Sequence, residues 1–302
     1  MKAAILGPGA VGGFLAALFW KNKIAVRCIA KAETVRAIRK NGLTLKSKTF
    51  GNFTAWPEVR EQLSEPADII FITVKAPSLN GAIKKIDPVL TKNSVIIPLL
   101  NGLAHIEPLK KRYGENVIAG TIGAVEIFQK APGVIIHSSG RAKIELASDY
   151  KDIKNRLPAI AELISRIGIE TRVLKKEAEI VWRKLVRLNA IACVTAATGK
   201  PIGVLRTDPV WRSKIEGAVS EAAAAAKAEA VILDVREVMS QVDRVEPEQM
   251  SSLARDIAQG KPSELESIAG AILKKCAQAK ISCLTISELY NLIKNRSARL
   301  SS

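Results

Sequence analysis

Four stretches in the first third of the chain, residues 2–6, 24–30, 68–74 and 94–100, are short, rich in branched apolar side chains and bounded by turn residues. Runs of this kind fit strands buried on both faces of a parallel sheet better than half-exposed strands, in which polar residues would alternate with apolar ones. Helical patterning follows each of them, starting with residues 10–23, so the order is βαβ and the fold class is α/β with a doubly wound parallel sheet. From 117 to 146 the pattern changes to shorter strands and turns, which predict antiparallel edge strands extending that sheet. A helix over 151–167 and a strand near 171–173 complete the region. Beyond Lys175-Lys176-Glu177 the chain reads as helical almost without interruption, over about 180–198, 209–230, 251–258, 264–279 and 286–300. Two domains result, residues 1–175 and an all-α domain of residues 176–302. No repeat of fixed period is visible.

The first strand runs into Gly7-Pro8-Gly9-Ala10-Val11-Gly12-Gly13, a GxGxxG between strand and helix, which makes the first domain Rossmann-type. Each glycine has a physical task. Gly7 makes the tight turn, Gly9 lets a pyrophosphate approach the backbone, and Gly12 allows close packing of helix on strand. Ala10 and Val11 open the helix whose N–H groups face the phosphates. An acid about 20 residues further on would bind the ribose of NAD. Ala30 and Lys31 stand there instead, and a cation at Lys31 suits the 2′-phosphate of NADP, although Glu33 is close by. Ligands of such sheets gather at the carboxyl ends of the strands, which directs Lys75 and Asn101 toward the reactive end of the cofactor. Lys75 reads equally as a helix entry, and Asn101-Gly102 as a simple turn.

In the helical half, Ser263-Glu264-Leu265-Glu266 and Thr285-Ile286-Ser287-Glu288 fit the S/T-x-x-E capping box. Glu264 is then expected at the first helical position, exposed at the helix end. There an acid serves either catalysis or the helix dipole.

Composition narrows the partners. Of 302 residues 48% are hydrophobic and 25% charged, an ordinary globular balance, and no apolar run is long enough for a bilayer span. A cytoplasmic protein with no membrane partner is expected. The net charge of +17 raises the question of nucleic acid, but the cations are dispersed along helices and the few aromatics form no RNA-binding run, so small anions are the expected partners. Cys28, Cys193, Cys276 and Cys283 show no CxxC pairing and no neighbouring histidine; they read as reduced core thiols, with neither zinc nor any other metal. His105 and His137 are expected to have no chemical role.

Taken together, these segments resemble the ketopantoate reductase family, also called 2-dehydropantoate 2-reductase. The resemblance rests on Gly7-x-Gly9-Ala10-Val11-Gly12-Gly13, on Lys31 with Ile38-x-x-Asn41-Gly42-Leu43, and on Val74-Lys75-Ala76. It continues through Asn101-Gly102-Leu103, Trp182-Arg183-Lys184-Leu185, Ser251-Ser252-Leu253-x-x-Asp256-Ile257 and Ser263-Glu264-Leu265-Glu266. It implies NADPH and a small 2-keto acid bound in a cleft between the domains. Lys184 would be the general acid, Glu264 would bind the substrate hydroxyl, and Ser252 would hold its carboxylate. Asn101 and Lys75 would lie around nicotinamide and substrate, and a homodimer is compatible with the class. A lysine fits the chemistry, because hydride arriving at a ketone carbon builds charge on oxygen that a cation stabilises and then protonates.

The chain departs from the family pattern where substrate is chosen. Leu188 and Ala192 occupy positions, four and eight residues after Lys184, where the family often has asparagine. Asn189 is carried as a substrate-side candidate, although a fifth position lies about 140° around a helix instead of about 40°. Gln249 replaces another common asparagine, and Ala104-His105 a small polar pair. Three functions follow: ketopantoate reduction, reduction of another small 2-keto acid by the same machinery, and, from a different class, a regulator that senses NADP without turnover. The last has no use for Lys184, Glu264 and Ser252 together.

Overall fold

The computed structural model describes residues 1–301. Its strands are β1 (Ala3–Leu6), β2 (Val26–Ile29), β3 (Leu43–Ser47), β4 (Phe53–Ala55), β5 (Glu58–Arg60), β6 (Ile69–Ile72), β7 (Val95–Pro98), β8 (Ala119–Gly123), β9 (Ile127–Ala131), β10 (Val134–His137), β11 (Lys143–Ala147) and β12 (Glu170–Val173). The helices among them are α1 (Ala10–Lys21), α2 (Ala32–Asn41), α3 (Leu79–Ala82), α4 (Ile106–Tyr113), α5 (Lys151–Lys154) and α6 (Leu157–Arg166). Then follow α7 (Glu177–Thr198), α8 (Ile202–Thr207), α9 (Pro209–Ala228), α10 (Val235–Asp243), α11 (Ser252–Ala258), α12 (Ala271–Gln278) and α13 (Leu284–Ser301). The chain forms two compact units. One comprises Met1–Leu100 and His105–Ile180; the other comprises Asn101–Ala104 and the chain from Val181 onward. None of the described helices is long and apolar enough to cross a membrane.

The first unit is built on a five-stranded parallel sheet ordered β5-β2-β1-β6-β7. β1 lies at the centre, with Leu6 opposite Ile29 on one side and Ile72 on the other. Every residue of β1, β6 and β7 is buried, which explains their unbroken apolar character. One apolar cluster gathers Ile5, Phe14, Leu18, Phe71 and Ile97, and a second gathers Leu6, Ile29, Ile70, Leu109 and Tyr113. Complete burial of a side chain of this size is worth roughly 1.5–3 kcal/mol.

The strands after residue 117 do not extend this sheet as expected; they build two others, ordered β4-β3-β10-β9 and β12-β11-β8. Their pairing is mixed, since β10 runs parallel to β3 and β11 parallel to β12. Among the described residues, ladder pairing with the main sheet is limited to an isolated bridge between Ile96 and Val117, although Gly120 of β8 still packs against Ile97 and the Pro98 carbonyl. Proline at the end of β7 supplies the reason. Leu99 N–H donates inward to the Ile72 carbonyl, so position 98 would have to donate outward, and Pro98 has no N–H. The helix expected over 151–167 is likewise interrupted, because Pro158 starts a new helix, α6.

In the second unit the alanine-rich face of α9 (Ala218, Ala222, Ala225, Ala226) is buried, and Gly217 brings that helix against Thr285 of α13. α7 ends at Gly199 with φ +74°, while Arg296 from α13 donates to the Ala196 carbonyl at 2.7 Å, satisfying a helix end that would otherwise lack donors. Neither expected capping box is the cap found. The first N–H groups of α13, on Thr285 and Ile286, donate to Glu221 of α9 at 2.7 and 2.8 Å, and Glu288 pairs instead with Lys214. At the other site, Leu265 leads without a side-chain cap into a π-helical turn, Glu266–Gly270, that continues as α12.

The cysteine expectation is corrected in part. Cys276 and Cys283, at the end of α12 and just before α13, form a disulfide with Cα atoms 6.5 Å apart. The turn between them reverses through Lys280 at φ +55° and brings together two residues that lie seven apart in sequence. Cys28 and Cys193 are buried free thiols, both pushed up to about 12 by desolvation.

Candidate active site

In the first unit the glycine loop leaves β1 with Gly7 at φ +90°, a conformation that L side chains rarely adopt. A Cβ on Gly7 would overlap the Val74 side chain. One on Gly12 would strike the Gly7 carbonyl, Thr73 and Ile5, which is the close helix-on-strand packing expected of that glycine. Gly9 differs. It is the N-cap of α1, and a Cβ there would meet nothing nearer than Gln129 Oε1 at 3.9 Å. The loop is therefore braced from below at Gly7 and Gly12 and open above Gly9, with Ala10 and Val11 half-buried in the first turn of α1. This cradle fits a dinucleotide pyrophosphate at a helix N-terminus. Thr73 was not singled out from sequence; its hydroxyl donates to the carbonyls of Leu6 and Gly7 at 3.1 and 2.8 Å and pins the loop to β6. A small hydroxyl residue one position past an apolar strand was the available signal.

Lys31 is the exposed N-cap residue of α2, directly after β2, and Glu33 is exposed in the first turn of the same helix. Lys75 is exposed at the carboxyl end of β6, where it precedes a short 3-10 turn containing Pro77. An open groove of about 630 Å³, lined by Lys2, Trp20, Lys23 and Trp56 among others, touches none of these residues and lies at the amino ends of β1 and β2. Both histidines are buried. His137 stacks on Phe14 at 5.0 Å and shares a hydrogen bond with Ser47 at 2.8 Å, and burial lowers its pKa.

The second unit gathers Asn101, Lys184 and Glu264. Asn101 lies just past β7 in sequence, yet Asn101–Ala104 belongs to this unit. Its Nδ2 donates to Glu264 Oε2 at 3.0 Å across 163 residues of sequence. Glu264 is only 8% exposed, which corrects the expectation of an exposed acid at a helix end. The helix does not start as a capping box: Leu265 leads into the π turn without a side-chain cap, and the Glu264 carboxylate, instead of lying free at a helix end, accepts from Asn101. Lys184 sits half-buried on α7. Burial is the largest influence on it and pushes its pKa down from 10.5 to about 8; Arg187 reinforces this by like-charge repulsion, and the Glu264 carboxylate opposes it by attraction. A lysine held near neutrality beside a carboxylate can exchange a proton with a bound substrate at working pH.

Other candidates are placed differently. Asn189 is fully buried, with its Oδ1 accepting the Cys193 thiol and its Nδ2 without a partner among the described residues. The 140° offset from Lys184 turns this side chain into the core of the unit instead of onto the lysine's face, which corrects its expected place on the substrate side. Ser252 is exposed in the first turn of α11, whereas Ser251 is buried as its N-cap. Ser251 Oγ accepts from the Ala254 N–H at 3.0 Å and from Thr195 Oγ1 at 2.8 Å. Thr195 was missed, although eleven positions after Lys184 return to the same face of α7. Leu188, one turn beyond Lys184, is half-buried, and Ala192 is fully buried.

Comparison with known proteins gives the family and the fold. Residues 3–149 match the family described as ketopantoate reductase PanE/ApbA, and residues 178–297 match its C-terminal counterpart. The 2-dehydropantoate 2-reductase of Archaeoglobus fulgidus is 27% identical over 297 residues, covering 97% of each chain. A PanE/ApbA family ketopantoate reductase from Ralstonia eutropha JMP134 superposes with a TM-score of 0.89 at 25% identity, covering 100% of both chains. D-mandelate dehydrogenase, solved with NADH and anilino(oxo)acetate, shares the fold with a TM-score of 0.92 at 21% identity over the full length of both chains. The chain belongs to the ketopantoate reductase family, a family of nicotinamide-dinucleotide-dependent oxidoreductases.

Proposed function

We propose that this protein uses NADPH to reduce a small 2-keto acid to the 2-hydroxy acid, with ketopantoate as first candidate and pantoate, the precursor of pantothenate and coenzyme A, as product. The observation that carries the reading is the half-buried Lys184, drawn down to about 8 and attracted by a Glu264 that Asn101 holds. The glycine loop would hold the pyrophosphate on the N–H groups of α1, and Lys31 would pair with the adenosine 2′-phosphate. Lys75 and Asn101 would border the nicotinamide. When bound, the reduced nicotinamide supplies the hydride. Lys184 stabilises the negative charge that then develops on the ketone oxygen and delivers its proton there. Glu264 binds a substrate hydroxyl and keeps Lys184 more basic than burial alone would. Ser252 meets the carboxylate from the exposed first turn of α11.

A second reading, the same chemistry on a 2-keto acid with an apolar side chain, is favoured by one observation. The position one turn after Lys184 on its own face of α7 is the half-buried Leu188, which offers no hydrogen bond to a substrate hydroxyl. A steady-state screen of ketopantoate against straight, branched and aromatic 2-keto acids, with NADPH and with NADH, decides between them. The first reading expects ketopantoate to have the highest kcat/KM. A branched or aromatic acid ahead by tenfold or more gives the second, and no turnover of any keto acid with either cofactor overturns both.

A further inference from the structure

Asn101–Ala104 is a short segment between β7 and α4, the sort of connection that is usually mobile. Here it is fastened at two points to the chain around the π turn. The Leu103 N–H donates to the Ser267 carbonyl at 3.1 Å, and Gly102, at φ +85°, lies so close that a Cβ on it would fall inside that same carbonyl. Ser267 is itself buried, and its hydroxyl donates to the Glu264 carbonyl at 3.0 Å. The second fastening is the Asn101 amide on the Glu264 carboxylate. π turns displace carbonyls from the regular helical ladder and recur at functional sites. Here the turn puts one carbonyl, that of Ser267, where the backbone of a distant segment docks.

We propose that Asn101-Gly102-Leu103 is a positioning clamp for Glu264: the Gly102 and Leu103 backbone grips the π turn at Ser267, and the Asn101 amide thereby fixes the orientation of the Glu264 carboxylate toward Lys184. This deepens the reading of the same site given above and rests on it. Gly102 touches no reacting atom; it is a positioning residue, required because any side chain at that point would push the segment off Ser267. Asn101 is assigned the same task, whatever contact it also makes with a ligand. The charged groups acting on Lys184 in this arrangement are Glu264 and Arg187.

The test reads Lys184 directly, without needing a substrate. Titration of the lysine Cε–Nζ resonances by NMR, with Lys184→Arg to assign the signal, gives its midpoint in the wild-type protein, in Asn101→Ala and in Gly102→Ala, with circular dichroism as the check on folding. Loosening Glu264 removes attraction and leaves burial and Arg187 unopposed, so the midpoint falls in both variants, by about half a unit or more. In turnover with the best keto acid, the basic limb of the pH profile moves down by the same amount in each variant. Unchanged midpoints in folded Asn101→Ala overturn the clamp even if Gly102→Ala does not fold. A midpoint that falls in Asn101→Ala but not in folded Gly102→Ala overturns the role of the Ser267 contact. Absence of turnover in the wild type with a normal Lys184 shift would defeat the proposed activity and leave the clamp standing.

Discussion

The glycine loop of the first unit and the Asn101–Lys184–Glu264 cluster of the second are built in opposite ways. The loop acts through backbone, and its shape is set by residues within seven positions of one another, helped by Thr73 and Val74 from the next strand. The cluster acts through side chains drawn from three places in sequence and joined through Glu264, which accepts from Asn101 and attracts Lys184. A backbone site tolerates change nearly everywhere except at its glycines. A side-chain site is vulnerable at each member and at whatever holds the members in place.

The sharpest break in that comparison is Lys184→Ala. Loss of a positioned proton donor is expected to lower kcat by about 10² to 10⁴ while NADPH affinity and circular dichroism persist. A change of less than twofold with the best substrate would mean that Arg183, Arg187 or Lys75 supplies the charge. On the backbone side, Gly12→Val places a branched side chain against Thr73 and the Gly7 carbonyl. Overpacking of this kind costs about 1–3 kcal/mol, so calorimetry is expected to show cofactor binding weakened by roughly 5- to 150-fold while the rate constant for bound substrate changes less.

The pH profile sharpens the same contrast. Lys184 must be protonated to act as an acid, so kcat in the reductive direction is expected to hold below about pH 8 and to fall about tenfold per unit well above it. The sign for stability follows from the same depressed value. The unfolded chain binds the proton more readily, so the cost of burying this lysine is fully present below about pH 8 and is relieved as pH rises toward 10.5. Lys184→Met is accordingly expected to raise Tm at pH 7, by an amount that shrinks as pH approaches 10.5, in an inactive protein. A smaller effect is expected at Lys31, an exposed residue. Lys31→Ala should weaken NADPH several-fold and leave NADH almost unchanged, because an exposed charge contact is worth about 1 kcal/mol. Equal losses for both cofactors would assign the ribose to another group. Ser252→Ala is expected to raise KM about two- to fivefold, the effect of one neutral hydrogen bond; an unchanged KM would remove Ser252 from the carboxylate contact.

What could be read from sequence follows the same division. The parallel sheet was legible because buried strands leave continuous apolar runs, and the loop because Gly7, Gly9 and Gly12 each answer a local geometric demand. The second and third sheets were not, since the decision lies in one absent donor at Pro98. Helix ends were read as local boxes, but the cap of α13 comes from Glu221, 64 positions away from Thr285. The burial of Glu264 could not be inferred from its neighbours, since it depends on Asn101 and on a π turn that has no local sequence signature. Lys184 itself drew attention through its family motif; its lowered pKa depends on tertiary enclosure.

That π turn has a consequence for how the chain can vary. Such a turn contains one residue more than the α-helix it interrupts. Deleting a single residue within Glu266–Gly270 would let the helix close into regular α form, and everything before it would rotate by about 100° and shift by about 1.5 Å relative to α12. Glu264 would swing off the Asn101 amide, and the Ser267 carbonyl would rejoin the helical ladder. Helix regularity and the carboxylate's position thus compete for the same five residues, so a shortened chain could become the better helix and the poorer enzyme in a single step.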